Sequence, residues 1–66
     1  MKLRDLLSVL EPGTPFAIGY ELETYKYECV EELCEDFVFY EEIRDKVIYS
    51  IWYSKSLYNC MVIDLA

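Results

Sequence analysis

The clearest structural pattern in this sequence is VIYSIWYSKSLYNCMVIDL, residues 47–65. Its first part, 47–53, is rich in β-branched and aromatic residues that alternate between two sides, which is typical of a β-strand. A short polar turn follows at 54–56, and the alternation returns over 57–65. These patterns predict a C-terminal β-hairpin.

Both strands of this hairpin are apolar on both faces. In the first strand, Val47, Tyr49, Ile51 and Tyr53 alternate with Ile48, Ser50, Trp52 and Ser54. In the second, Met61, Ile63 and Leu65 alternate with Tyr58, Cys60 and Val62. A sheet face that meets water is normally polar, so we expect an uncovered apolar patch. That patch is either Ile48, Trp52, Tyr58 and Val62 or, with the faces exchanged, Val47, Tyr49, Ile51 and Tyr53. The alternative is that residues 37–45 fold over this face.

The N-terminal half begins with a helical stripe. Leucines recur at 3, 6, 7 and 10, which predicts a helix over 2–10 that ends at Pro12 and Gly13. From Phe16 the period changes to two, and we expect two strands that meet in a turn near Leu22–Tyr25. Because this turn lacks an Asn-Gly or Asp-Gly signal, one long bent strand is the alternative.

A second helix is predicted at 30–36, where helical spacing of apolar residues returns. Residues 37–45 fit either an extension of that helix or an irregular loop. The order is therefore α-β-β-α-β-β in a single small α+β domain over 1–66. Short connections favour a four-stranded, mainly antiparallel sheet with two short helices on one face.

Charge is concentrated in one part of the chain. The net charge is −7, and residues 21–45 hold ten acidic and two basic residues, so the remainder is nearly neutral. An acidic surface repels phosphate backbones and anionic lipids, which argues against direct nucleic-acid or membrane binding. It is either a solubilising face or a surface for a basic protein partner, with Glu31, Glu32 and Glu35 as its candidate residues.

Sites of chemistry are scarce in this sequence. There is no histidine, and the two glycines cannot build a phosphate-binding loop. The three cysteines lack a fourth zinc ligand and are expected to be reduced, small apolar residues in a packed interior. Glu41, Glu42 and Asp45 could gather a divalent cation on a loop, although their spacing is not that of an EF-hand. We expect no enzyme activity and no cofactor.

The segments MKLRDLLSVL (1–10), TPFAIGY (14–20), YECVEEL (27–33), EEIRDKVIYSIW (41–52) and CMVIDLA (60–66) together have a recognisable layout. This layout resembles small acidic proteins encoded by bacteriophages and mobile elements of Gram-positive gut bacteria. In size and charge the chain is also similar to anti-CRISPR inhibitors, many of which mimic nucleic acids. Neither resemblance supplies a functional motif that can be carried onto particular residues.

The leading hypothesis is a non-enzymatic protein-interaction module from a phage or mobile element. Small chains bury little surface, so a second copy would help this one fold, and we expect a homodimer. The candidate binding residues on the sheet are Tyr49, Trp52, Tyr53 and Tyr58. No secretory signal is visible, and a cytoplasmic location is expected. The alternative function is inhibition of a host nucleic-acid-binding protein.

Overall fold

Seven short elements make up the fold. A computed structural model describes all 66 residues. The elements are α1 (Leu3–Leu7), β1 (Phe16–Tyr20), β2 (Glu23–Tyr27), α2 (Val30–Glu35), α3 (Phe37–Ile43), β3 (Ile48–Ser54) and β4 (Cys60–Leu65). The α+β class and the four strands are confirmed. The number of helices is three rather than two, because most of 37–45 forms a separate helix after a break at Asp36, where ψ is 63°.

The four strands form one sheet in the order β2-β1-β4-β3. Two antiparallel pairs, β1 with β2 and β3 with β4, meet at a parallel pairing of β1 with β4. The expectation of a mainly antiparallel sheet was therefore wrong, and the sheet is mixed. The two helices between β2 and β3 give the chain enough length to cross to the far side of β1, where the second hairpin joins in parallel.

All three helices cover the same face of the sheet. Leu3 and Leu7 of α1, Leu33 of α2 and Ile43 of α3 are buried against Phe16, Ile18 and Ile63 of the central strands. The ring of Phe39 in α3 lies 4.8 Å from that of Tyr25. Residues 37–43 therefore add to the helical layer, and the alternative in which this segment covers the opposite face was wrong.

The first hairpin turns on two residues that rarely occupy such positions. Glu21 and Leu22 have φ angles of 50° and 67°, and β1 and β2 flank them directly. Positive φ at both central residues is what a type I′ turn requires, and Asn-Gly normally supplies it. The turn lies slightly before the predicted 22–25, and the single bent strand was wrong.

Element ends also differ from expectation. Helix α1 stops at Leu7 rather than at residue 10, after which the chain continues in turns. Strand β4 starts at Cys60 rather than at 57, since residues 55–59 belong to the turn. Tyr58 therefore lies in the connection between β3 and β4 and not on a strand.

Candidate functional site: the outer edge of strand β3

Strand β3 is an edge strand that is paired on one side only. Its inner side pairs with β4, and its outer side meets the N-terminal residues at its start. There the Leu3 N–H donates to the Lys46 carbonyl oxygen at 3.0 Å, and the Ile48 N–H donates to the Met1 carbonyl oxygen at 2.9 Å. From Tyr49 to Ser54 no backbone hydrogen bond leaves the sheet's own ladder. This segment, the bare edge, is open to an incoming strand.

Large side chains project from the bare edge into solvent. The exposed fractions are 79% for Tyr49, 48% for Ile51, 45% for Trp52 and 62% for Tyr53. None of the seven residues of β3 is charged. Exposed aromatic and aliphatic side chains next to free backbone groups are the features of a strand that binds another strand.

A β-bulge changes which side chains share a face. The pairing with β4 shifts between Ile48 and Ser50. Ile48 is therefore paired with Leu65 and packs toward the helices, on the same side as Ile51 and Tyr53. The strict alternation expected from the sequence placed Ile48 with Trp52, and that assignment was wrong, because a bulge adds one residue to the strand.

Trp52 is held in place by a polar network on the helix-free face. The Trp52 indole Nε1–H donates to Asp64 Oδ2 at 2.8 Å, and the Ser50 hydroxyl donates to the same oxygen at 3.0 Å. On the neighbouring strand, a Cβ at Gly19 would collide with Asp64 Oδ1, so a larger residue at this position would displace the carboxylate. Sequence reasoning missed this network, although an acidic residue within the apolar run of β4 was a visible signal.

The four aromatic candidates separate into two groups. Tyr49, Trp52 and Tyr53 lie along the bare edge, and the Tyr53 hydroxyl donates to Asn59 Oδ1 at 3.0 Å. Tyr58 is half-buried and packs against the small cluster of Ala17, Cys60 and Val62. Val62, expected in an uncovered patch, is only 1% exposed. The chain thus covers part of the helix-free face with its own loop, and within the last two strands all of the exposed large apolar side chains lie on β3.

The acidic candidates lie elsewhere. Glu31, Glu32 and Glu35 are exposed on α2, and none of them forms an ion pair. Glu32 accepts a hydrogen bond from the Glu28 backbone N–H at 3.3 Å. Helix α2 packs beside β2, the opposite edge of the sheet from β3. The structure therefore keeps the acidic and aromatic surfaces apart.

An open pocket of about 350 Å³ lies at the first hairpin turn. It is lined by residues 19–24 together with Asp64 and Leu65. The Tyr25 hydroxyl donates to Oε2 of the lining residue Glu23 at 2.7 Å, and this hydrogen bond is the main cause that raises the pKa of Tyr25 to about 12. A tyrosine so protonated is a hydrogen-bond donor and not a base at neutral pH.

Among the three carboxylates considered for a cation, Asp45 lies close to two arginines. Asp45 Oδ1 lies 2.9 Å from Arg4 Nε, and Asp45 Oδ2 lies 3.9 Å from Arg44 Nε. No three histidine, cysteine, aspartate or glutamate side chains lie close enough together to hold a metal ion. Asp45 thus fastens α1 to the end of α3. The expectation that all three cysteines lie in the interior was wrong, because only Cys60 is buried and Cys34 is exposed.

The chain was compared with protein families, curated proteins and solved structures. No family model matches the chain. No curated protein and no solved structure matches it either. None of its helices has the length and apolar character needed to cross a membrane.

Proposed function

We propose that this chain is a non-enzymatic protein–protein interaction module whose binding surface is the bare edge of β3, and that it forms a homodimer through it. The observation that carries this proposal is the combination of unpaired backbone and four large exposed side chains on a strand without a single charge. Natural proteins normally protect such an edge with charges, proline or a covering loop.

The anchoring of Trp52 supports a binding role. Its indole is tied to Asp64 and yet remains 45% exposed. A side chain that is already fixed loses little conformational freedom when a partner packs against it, so more of the contact energy appears as affinity. Tyr and Trp are also the residues most enriched where proteins bind one another.

The acidic surface around α2 gives the module its electrostatic preference. Glu31, Glu32 and Glu35 are exposed and form no ion pair, so they attract a basic protein surface and repel nucleic acid. In this proposal the protein acts in the cytoplasm of a bacterium that carries the phage or mobile element encoding it. The resemblance of its sequence layout to such proteins supports that origin.

The test compares two substitutions that make the same change in charge at different places. Ile51→Lys puts a charge on the bare edge, whereas Val38→Lys puts one on an exposed position of α3. We expect Ile51→Lys to raise the dimer dissociation constant by about tenfold or more, which is about 1.4 kcal/mol, and Val38→Lys to leave it within about twofold. Sedimentation equilibrium measures both, and equal effects of the two variants would refute the assignment of the surface.

A second function, inhibition of a nucleic-acid-binding protein by mimicry, is favoured by the unpaired acids of α2. A CRISPR nuclease is the probe for it. Binding by mimicry should weaken steeply as salt rises, and reversal of Glu31, Glu32 and Glu35 to lysine should abolish it. A triple glutamine variant removes the charge without reversing it. Its affinity should lie between that of the unmodified chain and that of the triple lysine variant. Binding that is indifferent to salt and to these changes would exclude mimicry.

A further inference from the structure

We propose that two copies of the chain pair antiparallel through their β3 edges, with a two-fold axis at Trp52, and form one continuous eight-stranded sheet. This inference rests on the proposed function and specifies how the homodimer is built. It differs from packing of two sheet faces against each other, which the exposed aromatic side chains alone would also allow.

The extent of the bare edge limits where a second strand can add. In an antiparallel ladder, alternate residues of β3 direct their N–H and C=O groups away from β4. The Met1–Leu3 segment already occupies the outer side of 46–48. A second copy can therefore pair only with Tyr49–Ser54, a length typical of short strands.

The two faces of the sheet then select the register. A two-fold axis perpendicular to the sheet keeps helix-side residues opposite helix-side residues. With the axis at Trp52, Ile51 lies opposite Tyr53 of the second copy, and Ser50 lies opposite its Ser54. An aromatic residue facing a β-branched one is a favourable cross-strand pair. An axis at Ile51 would instead bring Ser54 of the second copy opposite Ile48, whose N–H is already bonded to Met1.

Charge does not prevent a second copy from occupying this edge, despite the net charge of −7. Strand β2 and the acidic helix α2 lie at the edge of the sheet farthest from β3. In an eight-stranded sheet the two β2 strands would be seven strand spacings apart, or about 33 Å. Salt screens charges over about 8 Å at physiological ionic strength, so the acidic regions of the two copies would not oppose pairing.

The experiment is an isotope-filtered NOE measurement on an equal mixture of ¹³C-labelled and unlabelled protein, at a concentration where sedimentation shows the dimer. We expect contacts between Ile51 of one chain and Tyr53 of the other, and slower amide hydrogen exchange within 49–54 than in a dilute sample. The slower exchange should be lost in Ile51→Lys and in Tyr53→Lys, and both signals should be kept in Val38→Lys. Circular dichroism checks that each variant is folded.

Other results would refute the register, the edge pairing or the self-association separately. Interchain contacts that centre on Ile51, or that come from the faces of the sheet, would refute the register or the edge pairing and leave the homodimer intact. A protein that is monomeric at every concentration would refute the proposed self-association as well, and the bare edge would then be free for a different protein.

Discussion

The two outer strands of the sheet face solvent in different ways. Strand β2 carries Glu23 and Lys26, and Lys26 Nζ lies 3.8 Å from Glu28 Oε1. Strand β3 carries no charge and exposes aromatic residues instead. Charged side chains on an edge discourage another strand from adding, because their desolvation is costly. The comparison teaches that one edge of this sheet is protected and the other is not.

The largest expected effect is a loss of stability when the hydrogen bonds of Ser50 and Trp52 to Asp64 are disrupted. Gly19→Ala would push its new methyl group into Asp64, which then loses the hydrogen bonds from Trp52 and Ser50. We expect the free energy of unfolding to fall by about 1–3 kcal/mol, the usual cost of overpacking. Chemical denaturation measures this change.

The control for Gly19→Ala is the same substitution in an Asp64→Ala background. Removal of the carboxylate removes the collision, so the cost of the added methyl group should shrink there, and the two substitutions should be clearly non-additive. An unchanged cost in both backgrounds would mean that the Asp64 contact is not what requires glycine at position 19.

A smaller effect, on self-association, is expected when a charge is removed from β2 so that its edge resembles that of β3. Lys26→Val removes the positive charge from β2, and we expect it to produce species larger than a dimer at high protein concentration, because both edges could then pair. Lys55→Val makes the same change in net charge in the turn after β3 and should leave the dimer as the largest species. Sedimentation velocity distinguishes them. If both variants behave alike, charge on β2 is not what protects that edge.

The smallest effect concerns the phenol beside the first turn. The hydrogen bond to Glu23 raises the pKa of Tyr25 to about 12, above the ordinary value of 10.0. The raised pKa means that this bond stabilises the folded chain fully below pH 10 and stops doing so as the pH rises through about 12. Absorbance titration of Tyr25→Phe should lose the step near pH 12 that the unmodified chain shows. Loss of a step near pH 10 instead would contradict the assignment.

Local features of this fold could be predicted from sequence. The alternation over 47–53 identified the strand that became β3, and the helical spacing of apolar residues located α2 within a residue of its ends. Both features depend on neighbours along the chain, which a periodic pattern records directly. The concentration of acids in one segment was likewise evident from the sequence alone.

Features that depend on distant residues could not be predicted. The parallel contact of β1 with β4 joins residues far apart in sequence, and no periodic pattern encodes it. The turn at Glu21-Leu22 lacks the residues that usually mark positive φ, so tertiary context imposes it. The bulge after Ile48 and the packing of Tyr58 over Val62 also depend on tertiary contacts. Because of these two features, the candidate binding surface lies on β3 and does not extend to Val62.

Sedimentation velocity of the unmodified 7.9 kDa chain over a wide range of concentration tests whether two copies of the chain bind each other through the outer edge of β3. We expect the apparent mass to double as the concentration rises into the high micromolar range. A mass that stays at that of one chain throughout would contradict it.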